Sequence, residues 1–194
     1  MTKHIKLVAF AGATREGSFN KKLVQAAAVE ARAAGAEVTY VDLRDYEMPF
    51  YDGDLESASG LPEKALALKK IFMDSDGFLI ASPEYNSSYS AVLKNTIDWI
   101  SRPSPGDEKG LSAFRGKYAA IMAASPGMMG GLRMLPHLRD LLLNISVTVI
   151  PAMQAVGGAS NAFDENGALK DEKQAAGVKN LATQLVGILQ KLNG

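Results

Sequence analysis

There is no cysteine in the 194 residues. A chain without thiols builds no disulfide framework, no thiolate metal centre and no thiol redox relay. Redox work by such a chain has to be carried by a bound cofactor. An excess of charge of one sign is also missing, since 21 Lys and Arg balance 21 Asp and Glu. Without a basic surplus or a basic run, neither nucleic acid nor a membrane surface is the expected partner. No apolar stretch is long enough to span a bilayer. The start, Met1-Thr2-Lys3-His4, leads into a strand-like run without the apolar segment of a secretory signal. A soluble, cytoplasmic protein is expected. The two histidines, His4 and His137, lie far apart, and neither a His-Glu-x-x-His helix nor a Gly-x-Ser-x-Gly elbow occurs. No metal site and no catalytic acid, base or nucleophile is expected.

What is present is a globular composition, 47% apolar, read as one domain over 1–194. Apolar or β-branched runs at 5–11, 37–43, 77–81, 117–124 and 146–150 read as strands. Helical patterns fall at 20–34, 62–73, 90–100, 134–143 and 171–192, with 44–60 left as a loop. Strands alternating with helices predict an α/β fold, a parallel sheet covered on both faces. Five strands favour the flavodoxin-like order 2-1-3-4-5, in which ligands sit beyond the carboxyl ends of the strands.

The first of those edges reads Gly12-Ala13-Thr14-Arg15-Glu16-Gly17-Ser18-Phe19-Asn20. Unpaired N–H groups at a helix start attract an anion. Arg15 adds a permanent cation, and Ser18 and Asn20 add side-chain donors. Thr14 breaks the dinucleotide fingerprint, and no lysine follows Gly17 as a nucleoside-triphosphate loop needs. Two readings remain: a cradle for a monophosphate, or a helix capped by Ser18 beside a solvated Arg15.

The second edge reads Ser82-Pro83-Glu84-Tyr85-Asn86-Ser87-Ser88-Tyr89-Ser90 and runs into Leu93-Lys94-Asn95-Thr96-Ile97-Asp98-Trp99. Tyr85 and Tyr89 offer flat faces beside a polar turn. A planar heteroaromatic ligand and an ordinary tight loop both fit. Pro83-Glu84-Tyr85-Asn86 with the following helix resembles the NADPH-dependent FMN reductases, which include flavin, quinone, azo-dye and chromate reductases. The first loop resembles that family's phosphate loop at Gly12, Arg15, Ser18 and Asn20, with Ala13 where serine is usual. The resemblance implies that Arg15, Ser18, the backbone of Phe19, and Asn20 hold the phosphate of FMN. It also implies that Pro83, Glu84, Tyr85 and Asn86 line the ribityl chain and the flavin.

The third edge, Ser125-Pro126-Gly127-Met128-Met129-Gly130-Gly131, has three glycines in five positions. They suggest a backbone lying close to a flat ligand, so Ser125, Gly127 and Gly130 join the candidate residues. Met128 and Met129 read as cover for a ring or as core. Arg133 reads as a solvated residue or as a group meeting an anion. The expected function is hydride transfer from NADPH or NADH to bound FMN and then to a small-molecule acceptor: a quinone, free flavin, azo compound or metal oxyanion. A flavodoxin-like electron carrier and a non-enzymatic phosphate-ligand module are the alternatives. The helix after Ser90 carries two apolar rows, Val92, Thr96, Trp99 and Leu93, Ile97, Ile100. The second row is expected against another subunit of a homodimer or homotetramer, or else in a wide groove of the same chain.

Overall fold

The computed structural model describes residues 4–193, so Met1, Thr2 and Lys3 of the N-terminal stretch lie outside the described residues. Alternation of side chains along the strands explains its layers. In β1 (Lys6–Ala11), Leu7, Ala9 and Ala11 face one side, while Val8 and Phe10 face the other. The first set packs on α1 (Phe19–Ala33) and α6 (Glu172–Asn193). The second packs under α3 (Glu63–Met73), α4 (Ala91–Ile100) and α5 (Met134–Asn144). With β2 (Glu37–Val41), β3 (Gly77–Ala81), β4 (Tyr118–Ala124) and β5 (Thr148–Val156), β1 forms a parallel sheet of order β2-β1-β3-β4-β5. This is the flavodoxin-like α/β arrangement read from the sequence.

Three expectations need correction. The last strand, expected at 146–150, instead continues through Pro151 to Val156. Proline is tolerated there because β5 is an edge strand. The pairing also slips, from Ala119 opposite Val149 to Ile121 opposite Met153, so a bulge absorbs Pro151. Second, the stretch 44–60 is not all loop. It holds a 3-10 turn, Leu43–Tyr46, and a helix, α2 (Gly53–Ser59), capped by the Asp52 carboxylate on the N–H groups of Asp54 and Leu55.

Third, the row Leu93, Ile97 and Ile100 is not left for another subunit. All three side chains are buried in the chain's own core. The other row is roofed by the segment before α2. Trp99 Nε1 and Asn95 Nδ2 both donate to the Pro49 carbonyl at 2.8 Å, and Tyr51 N–H donates to Asn95 Oδ1 at 2.7 Å. Arg102 pairs with Glu56 at 2.8 Å. A wide apolar stripe on α4 is therefore filled from two sides within one chain.

At the amino edge of the sheet, the buried Lys69 fastens α3 to the stretch after α4. Its Nζ meets the Asp107 carboxylate at 2.7 Å and donates to Ser104 Oγ at 2.8 Å and to the Arg102 carbonyl at 2.5 Å. Ser112 donates to the same carboxylate at 2.6 Å. The buried Asp107 carboxylate is thus held by Lys69 and Ser112 together.

Candidate functional site

Because β1, β3 and β4 are neighbours and parallel, the three unusual loops leave the sheet side by side. Long-range side-chain bonds then lock them together. Asn20, buried in the first turn of α1, donates from Nδ2 to the Ala124 carbonyl at 3.0 Å and accepts the Ala124 N–H at 2.9 Å. That joins the first loop to the root of the third. Ser90 Oγ, which caps α4 through the Leu93 N–H, donates to the Gly12 carbonyl at 2.6 Å and joins the first loop to the second. Glu84 accepts from Arg133 Nε at 2.9 Å and from the Arg133 N–H at 3.1 Å, joining the second loop to the third. The rim is a braced triangle.

The first loop keeps free donors. Ser18 is the N-cap of α1, but its side chain makes no capping bond. The N–H groups of the first helical turn, from Phe19 to Lys21, therefore have no side-chain partner of that kind. Arg15 is exposed, lies 5.3 Å over the Phe19 ring, and forms no ion pair among the described residues. Beneath it, Lys21 is buried and pairs with Asp42 at 2.6 Å, also reaching the Thr14 carbonyl at 3.4 Å. Burial pushes the Asp42 carboxyl up, but Lys21 and the Arg44 N–H outweigh it and hold the group below its ordinary range. Gly12 is explained by packing: a Cβ there would lie 2.9 Å from both Leu93 Cβ and Ser90 Oγ.

The second loop is a miniature hairpin. Tyr85 and Ser88 exchange N–H···O bonds of 2.9 and 3.1 Å around Asn86 and Ser87, both left-handed at φ 51° and 67°. Two successive non-glycine residues in that region cost energy and define a type I′ turn. The turn leaves Tyr85, Asn86 and Ser87 exposed, while Pro83 is buried at its root.

In the third loop the glycines answer to the protein first. A Cβ on Gly130 (φ 61°) would meet the Val156–Gly157 backbone at 2.6–2.7 Å, and one on Gly131 would meet Ala123 Cβ at 2.7 Å. Gly130 also gives its N–H to the Gly127 carbonyl. Gly127 alone of the three borders open space, with Ser125 Oγ as its nearest outside neighbour at 3.9 Å. Met128 and Met129 are exposed, not core, and Leu132 is exposed beside them. A cleft of about 310 Å³ adjoins the first loop, lined by Thr14, Leu43, Tyr46, Met48, Val92 and Asn95.

All the candidate residues therefore gather along one sheet edge, but with divided duties. Arg15, Tyr85, Asn86 and Gly127 are open to it. Asn20, Glu84 and Gly130 spend their polar groups bracing it. Lys21, Asp42 and the Glu84–Arg133 pairing carry no sequence signal, because each partnership spans loops distant in the chain.

A family model for NADPH-dependent FMN reductases matches residues 5–161. The chain belongs to that family. FMN and NAD(P)H are the cofactors of these reductases, and the chain is accordingly an oxidoreductase of the flavin-dependent kind. It is 35% identical over 174 residues to an NAD(P)H-dependent FMN reductase of Pseudomonas aeruginosa, covering 89% of each chain. It is 33% identical over 195 residues to an NAD(P)H:quinone oxidoreductase of Solanum tuberosum, covering 98% of this chain and 95% of the other. Among solved structures it resembles the flavoenzyme NAD(P)H:(acceptor) oxidoreductase of Paracoccus denitrificans. The TM-score is 0.80 and the identity 28%, with 96% and 98% of the two chains covered. No helix among the described residues is long and apolar enough to cross a membrane.

Proposed function

We propose that the braced edge holds one FMN, phosphate in the first loop and ring between the second and third, and that NAD(P)H reduces a quinone-type acceptor there. The reaction balances as NAD(P)H + H⁺ + quinone giving NAD(P)⁺ + hydroquinone. FMN, when bound, supplies the relay between donor and acceptor. The protein binds and orients. Arg15, the Ser18 hydroxyl and the backbone N–H groups of Phe19 and Asn20 take the phosphate. Pro83, Tyr85 and Asn86 flank the ribityl chain and ring on one side, Ser125 and Gly127 on the other. Asn20, Glu84 and Gly130 fix the spacing. The observation that carries this reading is Arg15, an exposed cation without an acidic partner among the described residues, parked on Phe19 at a helix start whose N-cap side chain makes no capping bond.

The test is a titration with FMN followed by turnover with NADPH or NADH and a benzoquinone. Uptake of FMN and steady nicotinamide oxidation are expected. Replacing Arg15 by Ala removes a charged hydrogen bond of about 1.5–3 kcal/mol and should weaken FMN binding by roughly 10- to 100-fold. Unchanged affinity removes Arg15 from the phosphate. FMN uptake without nicotinamide oxidation favours an electron carrier instead, a reading that the balanced charge of the chain disfavours.

The whole chain is proposed to act as one cytoplasmic unit that assembles into a homodimer or homotetramer. Support comes from the roof over α4, which is fixed by Asn95 and Trp99 yet displays Phe50 at 80% exposure beside exposed Tyr51 and Leu55. An apolar display on a rigid mount is a common mark of an interface. Light scattering at micromolar concentration should return a multiple of 20.6 kDa. A monomer mass that persists there refutes the assembly.

A further inference from the structure

The second and third loops, residues 82–90 and 125–133, contain one acid and one base, Glu84 and Arg133. The two are bonded to each other. Their exposure is unequal. The Glu84 side chain is 9% exposed and lies between the loops, whereas that of Arg133 is 65% exposed. Glu84 also takes the N–H of Arg133, the N-cap of α5, where the helix end carries partial positive charge. The loop-to-loop contact is close, since a Cβ on Gly131 would lie 3.7 Å from Glu84 Cβ. Both carboxylate oxygens are used, one by the backbone and one by the guanidinium.

We infer that Glu84 and Arg133 act in opposite directions on the preference for reduced over oxidised FMN, the acid opposing the reduced ring and the base favouring it, and that their pairing holds the two in balance. This rests on assigning the two loops to the flavin ring. Uptake of two electrons and one proton leaves the ring with one extra negative charge. A partly buried charge nearby is poorly screened and acts on that difference. In the intact pair the acid and base offset each other. Removing the acid leaves a cation that favours the reduced form. Removing the base leaves an anion that opposes it.

The experiment compares reduction potentials and FMN affinities of the FMN-loaded wild type, Glu84→Gln, Arg133→Gln and the double variant. Glutamine keeps an acceptor for one of the two Arg133 donors, and Arg133 projects outward, so both single variants are mild. Glu84→Gln should raise the ratio of affinities for reduced and oxidised FMN by about three- to tenfold, with tenfold equal to about 30 mV for a two-electron couple. Arg133→Gln should lower it by a similar factor, and the double variant should return close to the wild type. Purely structural damage moves both single variants the same way and accumulates in the double. Shifts of equal sign, or shifts below about twofold in both, overturn the inference while leaving the FMN site intact. A wild-type protein that takes up no FMN overturns the site assignment and this inference with it.

Discussion

Replacing Asn20 by Leu should cost the fold about 2–6 kcal/mol and weaken FMN binding by about tenfold or more. Two contributions set the first figure. The Ala124 N–H and carbonyl both lose their partner at a buried position, and each unsatisfied group costs about 1–3 kcal/mol. The second follows because Asn20 is the tie between the start of α1 and the root of the third loop. Without it, the phosphate end and the ring end of the site no longer share a fixed spacing, and binding has to order them first. Asn20→Asp provides the contrast. It still accepts the Ala124 N–H but sets a carboxylate oxygen against the Ala124 carbonyl, so it should also destabilise. Chemical denaturation and FMN fluorescence titration read the two effects. A leucine variant within about 1 kcal/mol of the wild type contradicts the brace.

The opposite edge of the sheet gives a large effect with a different signature. Lys69→Met leaves the buried Asp107 carboxylate without its cation, a change worth about 3–5 kcal/mol. FMN affinity of the folded protein should stay unchanged, because α3 reaches Asp107 at the edge remote from the three loops. The acid response should change too. Burial alone pushes the Asp107 carboxyl up, but bonds from Lys69 and Ser112 and the Lys69 charge outweigh it and hold the group below its ordinary range. A depressed folded value means that the stabilisation is fully present above the unfolded value near pH 4 and is lost as pH falls further. In the methionine variant burial is less opposed, so the part of the acid loss that belongs to Asp107 should shrink. Urea melts of both proteins between about pH 3 and pH 7 measure it. An equally steep acid loss in the variant contradicts the assigned role of Lys69.

The fold was legible because its determinants are local and periodic. Apolar runs closed by Gly12, Ser82-Pro83 and Ser125-Pro126 announce the strands, and alanine-rich or amphipathic stretches announce the helices. Reading failed where tertiary context decides. Pro151 looks like a strand end until β5 is seen to lie at the sheet edge, where a missing N–H costs little. The helix at Gly53–Ser59 is short, polar and capped by an acidic turn, so its composition reads as loop. Leu93, Ile97 and Ile100 offered no way to tell a wide internal groove from an interface, since both bury the same residue types.

At the site, the positions were legible and the duties were not. Arg15, Tyr85 and Asn86 stand open at the edge, in keeping with direct contact. Asn20 and Glu84 look like ligand groups in the sequence, yet their polar atoms are taken by Ala124 and Arg133, residues 104 and 49 positions away. Gly130 and Gly131 look like room for a ring, yet their missing Cβ atoms make room for Val156–Gly157 and Ala123. Spacing along one loop cannot reveal a bond made to another.

Crystals of the protein grown with FMN address the braced three-loop site most directly. The account predicts phosphate density within about 3 Å of the Arg15 guanidinium and the N–H groups opening α1, with the ring between 83–86 and 125–130 and the Asn20 and Glu84 bonds unbroken. Density for FMN elsewhere contradicts it, for example in the cleft of about 390 Å³ between α1 and residues 166–178. So does a vacant sheet edge at saturating FMN.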